Sequence, residues 1–347
     1  MRLKEQTMVN NEQIRNTRLD VLKVVCCILV IVLHSPQLCG GVVGEFIRAL
    51  TAVAVPTFMA ISGYLIFYVK EYTGKKYFKS LIKYMTIFLV WDAIYLTYAY
   101  ISSQEEMPFM QYAIINSEGW HLWYLKVYVQ ILLAYPIIRA ITKERKLCIL
   151  FSLIWLVMIP LKYSMATYFG IDGIYLRLLQ LPFFQFSGAV SGTTMGYYPT
   201  ECLGYFILGG FLIDLVEKSD KYKIAMIIIG LVGLMMTMFG QRYSETASQP
   251  LQLSVFFMTT GFISLMYLFN IKTGRITQNI VWMSDKTLGV YIIQGFTLQL
   301  SKHIISKILL GSSIENIMIC LLTIISSFII VAIIHKVIPS KICQYIM

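Results

Sequence analysis

Long apolar runs separated by short charged segments constrain this chain more than any other feature. They fall at 21–38, 47–69, 81–101, 122–140, 147–163, 199–216, 223–240, 251–270, 280–300 and 314–336. A helix rising 1.5 Å per residue crosses the ~30 Å hydrocarbon core of a bilayer in about 20 residues. The chain is 57% hydrophobic and 14% charged, far from the balance of a soluble domain. The expected fold is an all-α integral membrane protein, a bundle of about ten transmembrane helices. A further apolar stretch, 172–190, contains Arg177, Pro182 and two glutamines. It reads as a re-entrant or interfacial segment, with an eleventh span as the alternative.

The basic residues orient this bundle. With the N-terminus inside, Arg2, Lys4, Arg15 and Arg18, then Lys70, Lys75, Lys76 and Lys79, then Arg139, Lys143, Arg145 and Lys146, all fall on inner segments. The outer loops 39–46 and 102–120 contain no Lys or Arg. Such alternation places both termini in the cytoplasm and explains the net charge of +11 without a nucleic-acid partner. Residues 1–17 form a polar tail, and 18–340 read as a single transmembrane domain in the cytoplasmic membrane. The first run is long enough to stay as an anchor rather than be cleaved as a leader.

The seven cysteines make no C-x-x-C pair, and the four histidines do not cluster, so no metal site is expected. Cys39 and Cys202 both fall near the outer surface, where a disulfide between them is one option.

Ionisable residues inside membrane helices are functional candidates, because burying them in lipid is costly. In the first run Asp20, Lys23, Cys27 and His34 share one helical stripe, and eleven residues separate Lys23 from His34, about 16 Å along the axis. In the second, Pro56, Ser62 and Gly63 interrupt the helix, and Gly63 permits close helix approach. In the fourth, His121, Tyr124, Tyr128, Tyr135 and Arg139 share a face, while Trp120 and Trp123 suit an interfacial belt. The assumed topology puts His34 and His121 at a similar depth. The outer-loop acids Glu45, Glu105, Glu106, Glu118, Glu201 and Glu245 are read first as solvated surface, with sugar contacts as the alternative.

These segments resemble the acyltransferase 3 family of membrane acyltransferases. A basic residue, ten others and a histidine mark the family's first helix, and Lys23 and His34 hold those positions behind Arg18 and Asp20. P-T-F-M-A-I-S-G-Y from Pro56, H-L-W-Y-L from His121, G-Y-F-I-L-G-G from Gly204 and L-G-V-Y-I-I-Q-G-F from Leu288 are similar to later family segments. The fourth-helix match is similar to the branch that modifies cell-surface glycans. Many relatives carry histidine where this chain has Gln294. Glutamine keeps hydrogen bonding there but cannot shuttle a proton.

The resemblance implies transfer of an acyl group, most often acetyl, from cytoplasmic acetyl-CoA or another acyl-CoA to a hydroxyl of a glycan or other envelope acceptor. The donor is then a substrate, with no tightly bound cofactor. Such chemistry needs a base for the hydroxyl proton; His34 is the first choice and His121 a second catalytic candidate. Arg18, Lys23 and Arg139 are the candidates for binding CoA. Asp20, Ser62, Gly63, Tyr124 and Tyr128 are positioning candidates. Direct transfer and a covalent acyl-histidine both stay open. Two other classes also stay open. Embedded Asp92, Lys126 and His34 would suit a proton-coupled transporter, and loss of catalysis would leave a polysaccharide-export partner.

Overall fold

The computed structural model describes residues 15–69, 74–103, 107–115, 121–170, 199–269, 271, 274–309 and 314–347. The N-terminal tail through residue 14, the 172–190 stretch, Trp120, Glu105, Glu106 and Glu118 lie outside the described residues. Among those described, the chain is helical throughout, with no strand. The helices are α1 (Thr17–His34), α2 (Gly41–Thr51), α3 (Ala54–Gly63), α4 (Gly74–Ser103), α5 (Phe109–Ile115), α6 (Trp123–Leu133), α7 (Tyr135–Lys143), α8 (Arg145–Leu156) and α9 (Lys162–Phe169). After the next described stretch begins come α10 (Pro199–Lys218), α11 (Asp220–Gln241), α12 (Leu253–Met266), α13 (Arg275–Ser284), α14 (Thr287–Leu309), α15 (Glu315–Val337) and α16 (Ser340–Cys343).

Among the described residues, five helical segments are long and apolar enough to cross a membrane: Gly41–Val69, Gly74–Ser103, Arg145–Phe169, Asp220–Gln241 and Glu315–Val337. A sixth would join α6 and α7 across a 72° bend. Three of these segments show large apolar side chains on their outer faces at three- and four-residue spacing. They include Phe78, Ile82 and Leu89 on α4, Ile224, Ile228 and Leu231 on α11, and Leu321, Ile325 and Ile329 on α15. Stripes of that length suit lipid rather than water.

Other expected spans are more polar or shorter. The first carries Arg18, Asp20 and Lys23 within its eighteen residues, and α12 has only fourteen. The expected 280–300 span is broken between α13 and α14 at Asp285 and Lys286. The polar helices α1 and α14 pack inside, where their polar stripes meet protein rather than lipid.

Particular residues explain the breaks and the close contacts. The first helix stops at His34 because Pro36 disfavours helical geometry at the residue before it. The expected 122–140 span turns at Ala134 because Pro136 lacks an N–H for the carbonyl of Leu132. The Tyr77 hydroxyl donates to that carbonyl at 3.0 Å instead. Between α3 and α10 the backbones touch: any Cβ at Gly63 would run into the carbonyl of Phe206. This is the close approach expected of Gly63. At the crossing of α11 and α12, a Cβ on Gly230 would lie 2.6 Å from Cα of Gly261.

One reading of the sequence needs correction. Glu201 is not solvated surface. It is 1% exposed, and Tyr163 donates to its carboxylate at 2.8 Å. Cys39 and Cys202 are both free thiols, and Cys202 is buried in the core.

Candidate functional site

A cavity of about 250 Å³ lies between α1, α3, α4, α6, α13 and α14. The first helix contributes Lys23, Val30 and His34 to its wall, whereas Asp20 and Cys27 of the expected stripe are not among the lining residues. Phe58 and Ser62 come from α3, Tyr84 from α4, and Tyr124 and Tyr128 from α6. Ser284 closes α13, and Thr287 and Tyr291 come from α14. His121, in the turn before α6, completes the wall. His34 and His121 come close enough to interact electrostatically. Histidines 87 positions apart in sequence thus share one end of the cavity, and Lys23 marks the other.

At the histidine end, α14 grips His121 twice. The imidazole Nε2 lies 3.1 Å from the carbonyl oxygen of Ile292, and the Tyr291 hydroxyl donates to the His121 carbonyl. A carbonyl can only accept, so Nε2 carries the hydrogen, and in the neutral ring Nδ1 keeps its lone pair. Tyr95 donates to the same Ile292 oxygen at 2.8 Å and sets its ring edge-on to the imidazole, centroids 4.5 Å apart. His121 is 1% exposed. It is neither a solvated nor a capping residue.

At the lysine end, Asp20 organises the site. It is 2% exposed and accepts from Arg15 at 2.7 and 3.0 Å and from the Ser284 hydroxyl at 2.6 Å. Lys23 Nζ stands 3.9 Å from it. Arg15 also reaches Asp285 at 2.7 Å. Hydrogen bonds from Arg15 to Asp20 and then to Asp285 hold its guanidinium above its ordinary pKa, so it stays charged. This network ties the start of α1 to the junction of α13 and α14. It fixes the approach of Lys23 to the cavity.

The walls between the ends mix aliphatic and aromatic side chains. Ser62 Oγ and the Tyr124 hydroxyl are 2.8 Å apart, and Tyr84 meets Tyr128 edge to face at 4.7 Å. Trp123, read from sequence as an interfacial anchor, lines the cavity.

Two expected ligands of the donor lie elsewhere. Arg18 Nε donates to the carbonyl of Phe269 at 3.3 Å, and its guanidinium stacks 5.5 Å over Tyr267. Arg139 sits on α7, beyond the bend, so the face it shares with His121 in a straight helix does not exist; neither arginine lines the cavity. Conversely, Thr287 and Tyr291 are wall residues that the sequence reading passed over. Their four-residue spacing within Leu288–Phe296 and its lead-in was the available signal.

A largely apolar cavity with two histidines at one end and a lysine at the other, inside an all-helical membrane protein, is the geometry of a membrane-embedded reaction or transport site. Residues 16–336 match the family model described as an acyltransferase domain. The chain belongs to the acyltransferase 3 family and is an integral membrane acyltransferase. No curated protein and no solved structure matches it.

Proposed function

We propose that this protein is an O-acyltransferase of the cytoplasmic membrane. It moves an acyl group, acetyl foremost, from cytoplasmic acyl-CoA to a hydroxyl of an extracytoplasmic or envelope glycan. The observation that carries the reading is one cavity that has Lys23 at one end and the His34–His121 pair at the other.

In this scheme the donor enters at the lysine end. The ammonium of Lys23, steered by Asp20, attracts its negative charge. The thioester extends towards the histidines, and the acceptor arrives at their end. His34 takes the hydroxyl proton as the oxygen attacks the thioester carbonyl. The C–S bond then breaks, and the leaving thiolate receives that proton from His34. His121 presents the lone pair of Nδ1 at this end, where it can accept a hydrogen bond from the acceptor. The apolar and aromatic walls limit water, and with it hydrolysis.

The test uses purified protein in detergent with labelled acetyl-CoA, together with glycan O-acetyl content in cells lacking the native gene. Wild type is expected to release CoA slowly and to restore O-acetylation, whereas His34→Ala that inserts normally does neither. A wild-type protein that releases no CoA and restores nothing overturns the proposal and favours transport.

A further inference from the structure

We infer that Gln294 is an acceptor-binding residue, its side-chain amide holding a hydroxyl of a neutral, hydroxyl-rich acceptor at the depth of His34. This deepens the function proposed above and rests on it. Gln294 is 2% exposed, and both its amide nitrogen and its amide oxygen are without a hydrogen-bond partner. Among the described residues no other side chain leaves two separate polar atoms buried in this way. Burying an amide unpaired is costly, and such a group calls for a specific explanation.

Its position supplies one. On α14, Thr287, Tyr291 and Gln294 fall within about 60° of each other at 100° per residue. The first two line the cavity, and Gln294, the next polar step along that stripe, is not itself among the lining residues. Its depth follows from register. Asp20 meets Ser284 and, farther along, Cys27 Sγ meets the carbonyl of Thr287 at 3.8 Å, so the two chains advance in the same direction. Seven residues on from Cys27 is His34, and seven on from Thr287 is Gln294. Equal rise on both helices brings them to one level. His121 meets this helix at the next residue, since a Cβ on Gly295 would lie 3.1 Å from Cε1 of His121.

The kind of ligand follows from which atoms lack partners. An oxyanion would occupy only the NH₂ group. A hydroxyl both donates and accepts, so one hydroxyl, or two neighbouring ones, satisfies both ends of the amide. Binding the acceptor there sets its nucleophilic oxygen beside His34.

The experiment compares wild type, Gln294→Leu and Gln294→His in two assays. One measures acetyl-CoA hydrolysis by purified protein with water as the only acceptor. The other measures glycan O-acetyl content in cells lacking the native gene, at equal membrane expression. Gln294→Leu is expected to lower O-acetylation by about tenfold or more, with hydrolysis within about twofold of wild type and a melting temperature unchanged or higher. Gln294→His, which keeps a donor and an acceptor, is expected to recover part of the loss. Wild-type O-acetylation by Gln294→Leu overturns the assignment and leaves the acyltransferase reading standing. Equal loss of hydrolysis and transfer also overturns it, by making the residue structural. Failure of wild type in both assays overturns the acyltransferase reading itself, and with it the acceptor.

Discussion

The imidazole of His121 donates through Nε2 to the carbonyl oxygen of Ile292, 3.1 Å away. That bond joins the turn before α6 to the second turn of α14, 171 residues later. It also selects the ring's tautomer, because the carbonyl cannot donate. Tyr291 grips the same residue through its carbonyl, so ring and backbone are held by consecutive residues of one helix.

Tyr291→Phe removes the hydroxyl from this clamp and leaves a buried carbonyl less satisfied. The expected loss is about 1 kcal/mol of stability, accompanied by a clear fall in acyl transfer. Tyr95→Phe removes the other donor to Ile292 but leaves the His121 bond, so a similar stability loss should come with a smaller fall in transfer. Melting in detergent and CoA release measure both. Equal activity in the two variants would show that the clamp does not position His121.

His34→Ala should lower transfer by about 100-fold or more, the usual contribution of a general base. His34 ends α1, where Ser35 Oγ already caps the carbonyl of Ile31 at 2.8 Å, so folding should survive. Lys23→Ala should instead raise the KM for acyl-CoA with a smaller change in kcat, because its charge acts on binding. Initial rates over a range of acyl-CoA concentrations separate the two patterns.

Asp20→Asn keeps the shape of the side chain and removes the charge that Arg15 and Lys23 face. Hydrogen bonds to charged groups are worth about 1.5–3 kcal/mol, and a loss near the lower end is expected because Arg15 is 45% exposed and screened by water. Asp285→Asn, whose carboxylate is 57% exposed, should change stability by less than about 1 kcal/mol. Thermal unfolding in detergent ranks the two; the reverse order would remove Asp20 from the centre of the network.

Gly63→Ala forces a methyl group against the carbonyl of Phe206, which is backbone and cannot swing aside. Overpacking of this kind costs about 1–3 kcal/mol. Gly74→Ala is the control, since nothing lies within 4 Å of its added Cβ, and it should melt like wild type. Equal melting temperatures for the two variants would mean that α3 and α10 part easily.

Composition and local spacing determined the class of the fold and much of the site. Apolar run length follows from bilayer thickness and helical rise, so an all-helical membrane protein was legible before any contact was known. Helical period put Lys23 and His34 on one stripe, and Tyr124 and Tyr128 on one face, and all four line the cavity. Tertiary structure decided everything that depends on breaks and partners. Extrapolating one straight helix carried Arg139 onto the face of His121, and Pro136 bends it away. The charge of Arg18 suggested a phosphate ligand, yet Tyr267 and the carbonyl of Phe269 hold it outside the cavity. No local pattern reveals that Asp20 meets Ser284 or that Ile292 orients His121. Those contacts join residues more than 150 positions apart, and only the packing of whole helices brings them together.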